Sequence, residues 1–153
     1  MQPNQLMEHP EGGRFQEVFR SPVIIQRSDG AERHAMTHIY FELQPHEVSR
    51  FHRVQADEVW NLYRGQGVRL HLWDGTETPP QCHEISAAQQ NYCHVVPAGI
   101  WQAAEPMDDT VLVGCSVGPG FEFQDFDMLD PASSQAETLR NCFPDKEKFI
   151  PTA

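Results

Sequence analysis

Apolar and polar residues alternate in short runs along most of this chain, a pattern typical of β-strands that bury one face. In residues 35–43 the odd positions are mainly apolar and the even positions are mixed. The same alternation recurs in 57–64, 68–73 and 110–117, and two weaker strands are predicted within 14–26. Many short strands at regular spacing predict an all-β barrel or sandwich.

Turn-forming residues separate the predicted strands, for example at Asp29-Gly30, Asp74-Gly75 and Pro79-Pro80. Residues 75–90 are therefore expected to form a loop or an irregular hairpin. One helix is predicted late in the chain. It begins after an N-cap at Ser133 or Ser134 and ends near residue 142, before Pro144.

Length and charge exclude several classes of protein. The chain has 153 residues, which suits a single domain over 1–153, and its formal net charge is -11. An acidic surface repels phosphate backbones, so no nucleic-acid partner is expected.

No apolar run reaches the length of about 18 residues that a membrane span needs, and the N-terminus does not look like a signal peptide. The four cysteines form no Cys-x-x-Cys pair, so reduced thiols and a cytoplasmic location are expected.

Four phrases in order resemble one branch of the cupin superfamily, the RmlC-like "cupin 5" group, whose members are largely of unknown function. They are EHPEGGRFQEVFRS, HRVQADEVWNLYRG, VPAGIWQAA and VGCSVGPGFEFQDFDM. The resemblance implies a double-stranded β-helix, the jelly-roll cupin barrel, over about 8–129, followed by a tail at 130–153 with a short helix. It also implies a homodimer and a small-molecule pocket at the mouth of the barrel.

The two metal-binding motifs of cupins are only partly kept. Arg50 stands at the position of the first motif histidine, and His52 stands at that of the second. Glu58 precedes Gly65 at the usual distance, although Asp57 competes for the ligand position. In the second motif, Gln102 replaces a histidine.

One imidazole, one carboxylate and one amide therefore remain as possible metal ligands, at His52, Glu58 and Gln102. Because Arg50 adds a cation and an amide is a weak ligand, we expect no cofactor, although a divalent Fe, Mn, Ni or Zn ion stays an alternative. Without a metal, His52 and Glu58 suit general acid–base catalysis, and Arg50 could clamp an anionic group. His52 could equally be a hydrogen-bonded histidine of the barrel core.

Further side chains are predicted to line the pocket. Gln102 and Trp60 accompany the motif residues, and Tyr40 and His38 belong to a predicted strand. His71 alternates with Val68, Leu70 and Leu72, so it would face the pocket if those three residues filled an outer core.

These residues favour an isomerase, epimerase or cyclase that acts on a small polar or anionic, possibly carbohydrate-derived substrate. Two alternatives stay open. One is a metal-dependent dioxygenase or lyase, and the other is a binding protein without turnover.

Overall fold

A computed structural model describes residues 5–152 of the chain. Alternating apolar residues produce β-strands over most of this part, as the sequence pattern predicts. The strands are β1 (Met7–Glu8), β2 (Arg14–Arg20), β3 (Ile24–Gln26), β4 (Glu32–His34), β5 (Thr37–Leu43), β6 (Ser49–Val54), β7 (Asp57–Arg64), β8 (Gly67–Trp73), β9 (Gln81–Ser86), β10 (Cys93–Val96), β11 (Trp101–Pro106), β12 (Val111–Gly118) and β13 (Phe126–Met128).

Two antiparallel sheets face each other and form a jelly-roll barrel. One sheet has the order β1-β2-β5-β12-β7-β10, and the other has the order β13-β6-β11-β8-β9. Strands β3 and β4 form a separate hairpin. Apart from β1–β2 and β8–β9, neighbouring strands in each sheet are not consecutive in the chain, which is the connectivity expected of a double-stranded β-helix. The predicted fold class, a cupin barrel with a short C-terminal helix, is confirmed.

The barrel interior is filled by large apolar side chains from both sheets. Phe41 on β5, Trp60 on β7 and Leu70 on β8 belong to one buried cluster, with Val113 on β12. This cluster occupies one end of the barrel. The other end is left to polar side chains and a cavity, described below.

The C-terminal tail covers the outer face of the second sheet. Helix α1 (Ser134–Cys142) begins at the N-cap Ser133, whose hydroxyl accepts a hydrogen bond from the Ala136 backbone N–H at 3.1 Å. A 3-10 helix, Pro144–Phe149, follows. Together they form a second apolar cluster with outward-facing residues of the sheet, so the sheet is buried on both faces. The members are Phe51, Trp73, Trp101, Ala103, Leu129, Ala136, Leu139, Phe149 and Ile150.

Of this sheet, the alternation pattern predicts only β8. Residues 75–90, expected to form a loop or an irregular hairpin, contain strand β9, which forms an antiparallel hairpin with β8. Its polar sequence QCHEIS hides the alternation, because β9 lies at the edge of the sheet. All four cysteines are free thiols. Within the part of the chain that is described, no helix is both long and apolar enough to cross a membrane.

Phe149 should carry much of the stability of the tail. Its ring is fully buried, 5.8 Å from the ring of Phe51 and 4.7 Å from that of His71 between centroids. Because truncation leaves a cavity, we expect Phe149→Ala to lower the free energy of unfolding by about 3 to 5 kcal/mol, measured by urea denaturation. Glu147→Ala, at an exposed position of the same segment, should have little effect. A small loss for Phe149→Ala would mean that the tail does not contribute to the core.

Candidate functional site

A β-bulge in β6 decides which side chains enter the barrel. Gln102 of β11 pairs with His52, but Ala104, two residues later, pairs with Ser49, three residues away on β6. The extra residue in β6 interrupts the alternation of sides. Ser49 and His52 therefore both point inward, while Phe51 packs outside under the tail.

The turn before β2 brings a carboxyl group to the same place. Its sequence, HPEGG, closes through a hydrogen bond from the His9 backbone N–H to the Gly13 carbonyl at 3.0 Å. Gly12 has a φ of 117°, and a Cβ there would lie 2.1 Å from the Val48 carbonyl oxygen, so only glycine fits. The tight turn places Glu11, 6% exposed, against Ser49 and His52.

Glu11 lies between two histidines, and their hydrogen bonds define the protonation of all three groups. His52 Nδ1 is 2.7 Å from the Arg50 carbonyl oxygen, which only accepts, so Nδ1 carries the proton and Nε2 is bare. His9 Nδ1 accepts the Glu11 backbone N–H at 3.2 Å, so it is bare as well. Both bare nitrogens face the carboxyl group of Glu11, at 3.2 Å for His52 and 3.1 Å for His9.

A carboxylate facing two nitrogen lone pairs would be repelled, so one proton must be shared among the three groups. Burial places this proton on the carboxyl group. It raises the pKa of Glu11 to about 8 against the opposing effect of the Ser49 hydroxyl, which donates to Oε2. Burial also lowers the pKa of His9 to about 3 and lowers the pKa of His52. Glu11 is then a neutral acid whose single O–H donates to one of the two neutral imidazoles at a time.

A second buried carboxyl group, Glu58, projects inward from β7. Its Oε1 accepts a hydrogen bond from Gln102 Nε2 at 2.9 Å, and Gln102 Oε1 accepts one from Trp60 Nε1 at 2.8 Å. The Cys115 thiol also hydrogen bonds to Glu58. Burial raises the pKa of Glu58 to about 7, with His52 acting in the opposite direction. Glu58 therefore exchanges its proton near neutral pH, as an acid–base catalyst must.

These groups form the floor of a cavity of about 100 Å³ at one end of the barrel. The walls are mainly apolar, and acidic residues with one arginine lie at the mouth. An apolar cavity with a few converging polar groups is the usual form of a small-molecule site. The lining residues are His9, Glu11, Phe15, Glu17, Arg20, Thr37, Ile39, His52, Val54, Glu58, Val117, Phe121, Glu122, Phe123 and Phe126.

Of the residues predicted for the pocket, His52 and Glu58 line the cavity. Glu58 rather than Asp57 faces inward, since Asp57 is exposed and accepts the Ala98 backbone N–H at 2.9 Å. Gln102 and Trp60 lie behind Glu58 and hold its carboxyl group.

The remaining four predicted residues lie elsewhere, which corrects their expected positions. Because of the bulge, Arg50 lines a separate surface groove with Met128 and Pro131. His71 lies on the outer face of its sheet under Phe149, since Leu70 and its alternating neighbours fill the inside of the barrel.

His38 and Tyr40 are on the outer face of the six-stranded sheet. There His38 Nε2 and the Tyr63 hydroxyl lie 2.7 Å apart, and the Tyr40 and Tyr63 rings meet edge to face. Strand β5 turns its odd positions, such as Phe41, into the barrel, so its even positions must face outward.

The donor set does not fit a cupin metal centre. Arg50 points out of the barrel, and the oxygen of Gln102 is already taken by the Trp60 indole N–H. Only His52 and Glu58 remain of the motif positions, and Glu58 carries its own hydrogen bonds. Across residues 5–152, no three His, Cys, Asp or Glu side chains are arranged to hold an ion.

Comparison with known proteins gives the family. The model of the "Cupin superfamily (DUF985)" family matches residues 1–129. The chain belongs to the cupin superfamily. A solved structure of the protein SO0799 from Shewanella oneidensis is similar to this cupin, with 30% identity, a TM-score of 0.80 and coverage of 97% of this chain and 93% of that one.

Two further relatives are similar over most of their length. A hypothetical protein from Leishmania major has 28% identity and a TM-score of 0.75, with coverage of 96% of this cupin and 92% of that chain. The uncharacterized protein YML079W from Saccharomyces cerevisiae is 27% identical over an alignment of 144 residues, with coverage of 82% of this cupin and 71% of the yeast protein.

Two site residues were missed in the sequence, namely His9 and Glu11. His9 looked like a loop histidine, and Glu11 belongs to no strand. The signal that could have found them is the phrase HPEGG itself. Two consecutive glycines after a histidine and a glutamate indicate a tight turn that fixes both side chains.

The raised pKa of Glu11 predicts how stability depends on pH in this cupin. A carboxyl group whose pKa is raised from 4.5 to about 8 binds more protons in the folded state, so its contribution is lost as pH rises through 8. Buried histidines with lowered pKa values act oppositely, but only below their unfolded value of 6.5. Between pH 7 and 8 the carboxyl effect therefore remains.

We expect the free energy of unfolding of the wild type to fall from pH 7 to pH 8. The fall is at most about 1.4 kcal/mol for each buried carboxyl group whose pKa is raised. Glu11→Gln should flatten this dependence, whereas the exposed Glu77→Gln should leave it unchanged. The measurement is urea denaturation at several pH values. An unchanged slope in Glu11→Gln would show that Glu11 is ionised in the folded protein.

The metal content of the purified protein tests whether these side chains bind an ion. We expect untagged protein, purified without added metal, to hold far less than one Fe, Mn, Ni or Zn ion per chain by elemental analysis. His52→Gln and Glu58→Gln should not change that content. One ion per chain that is lost in both variants would contradict the assignment of these residues to metal-free chemistry.

Proposed function

We propose that this cupin is an enzyme that isomerises or epimerises a small polar carbonyl compound by acid–base catalysis. The observation that carries the proposal is the pair of proton-transfer groups on one cavity floor, Glu58 and the proton-sharing pair of His52 and Glu11. A reaction of this kind needs one group to take a proton from carbon and another to give a proton to oxygen.

Glu58 is the base in this proposal. Its pKa of about 7 leaves a large ionised fraction at neutral pH, and Gln102 fixes the direction of its carboxyl group. The carboxylate takes the proton from the carbon next to the substrate carbonyl. The electron pair of that C–H bond forms a C=C bond, and the carbonyl oxygen gains negative charge.

The pair of His52 and Glu11 supplies the proton for that oxygen, which gives a neutral enol. His52 is held on one side by the Arg50 carbonyl and on the other by Phe126, whose ring stacks at 5.3 Å. In an isomerase, Glu58 then gives its proton to the former carbonyl carbon. The hydroxyl on the carbon that lost its hydrogen gives its proton to the pair, and a new carbonyl forms there. In an epimerase, the intermediate turns relative to Glu58 and receives the proton on its opposite face, while the enol proton returns to the pair.

Both carboxyl groups and the imidazole are buried, which strengthens their electrostatic interaction with a charged transition state. Because Arg50 lies outside the cavity, it supplies no anion clamp here. Binding would depend instead on the apolar walls and on hydrogen bonds to the floor.

Loss of a C–H proton can be measured without knowing the product. The wild type is incubated in D₂O with a panel of aldoses, ketoses and hydroxylactones, and ¹H NMR follows the exchange of carbon-bound protons. We expect one class of compound to exchange. Glu58→Gln and His52→Gln should each slow that exchange by about 10²- to 10⁴-fold, the usual contribution of a general acid or base.

His83→Gln is the matched histidine control, since His83 is far from the cavity in the chain's outer strand β9. It should exchange at the wild-type rate. The contrary result would be that compounds of the panel bind, as seen by thermal shift, but none of them exchanges a carbon-bound proton. That result would support a binding protein without turnover and contradict the proposal of an enzyme.

A further inference from the structure

The mouth of the cavity is crossed by an ion bridge, which we define as Glu17, Arg20 and Glu122. Arg20 Nη2 lies 2.7 Å from Glu17 Oε1, and its Nε lies 3.3 Å from Glu17 Oε2. Nη1 donates to Glu122 Oε1 at 3.0 Å, and Nη2 also donates to the Phe121 carbonyl at 3.1 Å. Four of the five N–H groups of this guanidinium therefore have acceptors within the protein.

Local strand geometry brings the bridge together. A second irregularity in register, between Glu17 and Phe19 of β2, turns both Glu17 and Arg20 toward the cavity. Glu122 lies beyond the end of β12, across the mouth. Arg20 is the only lysine or arginine among the described residues that line the cavity, and four glutamates line it as well.

The histidines of the floor supply little positive charge to balance the excess of carboxylates at the mouth, because burial lowers their pKa values. Burial keeps the proton on Glu11 near neutral pH and leaves His9 unprotonated. Since the two rim carboxylates outnumber Arg20, an entering anion meets net negative charge at the mouth. Inside the cavity, no free cation takes the place of the water molecules that the anion has lost, so the free energy of desolvation opposes its binding.

We infer that the ion bridge makes this a cavity that excludes anionic ligands and that Arg20, held by Glu17 and Glu122, sets this selectivity. The inference deepens the proposed function, since it names the charge class of the substrate at the same site. Apolar rings would lie between the phenylalanine walls, and a neutral oxygen atom would meet the acids of the floor. Sugar acids and phosphorylated compounds are excluded as substrates.

Three probes built on the same cyclohexyl ring test this inference at pH 7.5. They are cyclohexanecarboxamide, cyclohexanecarboxylate and cyclohexylmethylammonium, and each dissociation constant is measured by NMR titration of the wild type. We expect the carboxamide to bind at least about tenfold more tightly than the carboxylate, a difference that such titrations resolve easily. Binding is measured without turnover, so the result is independent of whether the protein is an enzyme.

A double variant, Glu17→Gln with Glu122→Gln, frees the Arg20 guanidinium. We expect it to bind the carboxylate about tenfold more tightly than the wild type does, while its affinity for the carboxamide stays the same. The matched control is Glu32→Gln with Glu77→Gln, which raises the net charge by the same amount at two exposed positions. That control should leave all three constants unchanged.

Several results would overturn the inference. These are carboxylate binding as tight as carboxamide binding or tighter than ammonium binding in the wild type, no gain for the carboxylate in the double variant, or an equal gain in the control. Binding of none of the three probes would overturn it too. Should the carboxamide preference hold while no panel compound exchanges protons in D₂O, the charge class stands and the enzyme proposal fails.

Discussion

The bulge in β6 is the constraint on which the site depends. A regular strand would send Ser49 and Phe51 to one side and Arg50 and His52 to the other. With one extra residue opposite β11, Ser49 and His52 share the inner face instead. A hydroxyl and an imidazole thereby meet the same carboxyl group, that of Glu11. Arg50, which would otherwise have introduced a cation beside His52, is left in a surface groove.

That arrangement explains how a barrel that lacks most of the usual metal ligands still has polar groups on its cavity floor. Two buried carboxyl groups would repel each other if both were ionised, but burial keeps Glu11 mainly protonated near pH 7, where Glu58, with a pKa of about 7, is only partly ionised. Glu58 is satisfied by Gln102, which is in turn satisfied by Trp60. Glu11 is satisfied by Ser49 and two imidazoles. The site is therefore stable without an ion, although its protons remain available.

Much of the fold could be predicted from the sequence, because strand alternation is a local property. The strands at 37–43, 57–64, 67–73 and 111–118 fall close to the predicted ranges, and the helix begins after Ser133, one of the two predicted caps. Strand β9 could be predicted only as part of a loop or an irregular hairpin, since an edge strand need not alternate. Which face of a strand is inner is not a local property, and His71 was therefore assigned to the wrong side.

The site was harder to predict for the same reason. His52 and Glu58 could be found because their spacing follows a family motif. The orientation of Arg50 could not, because a bulge is defined only by the partner strand, here between Gln102 and Ala104. The position of the proton that Glu11 shares with two histidines depends on the Arg50 carbonyl and on the Glu11 backbone N–H. The sequence does not indicate where either backbone group lies. Chemistry in this barrel is thus decided by backbone groups as much as by the side chains that the motif names.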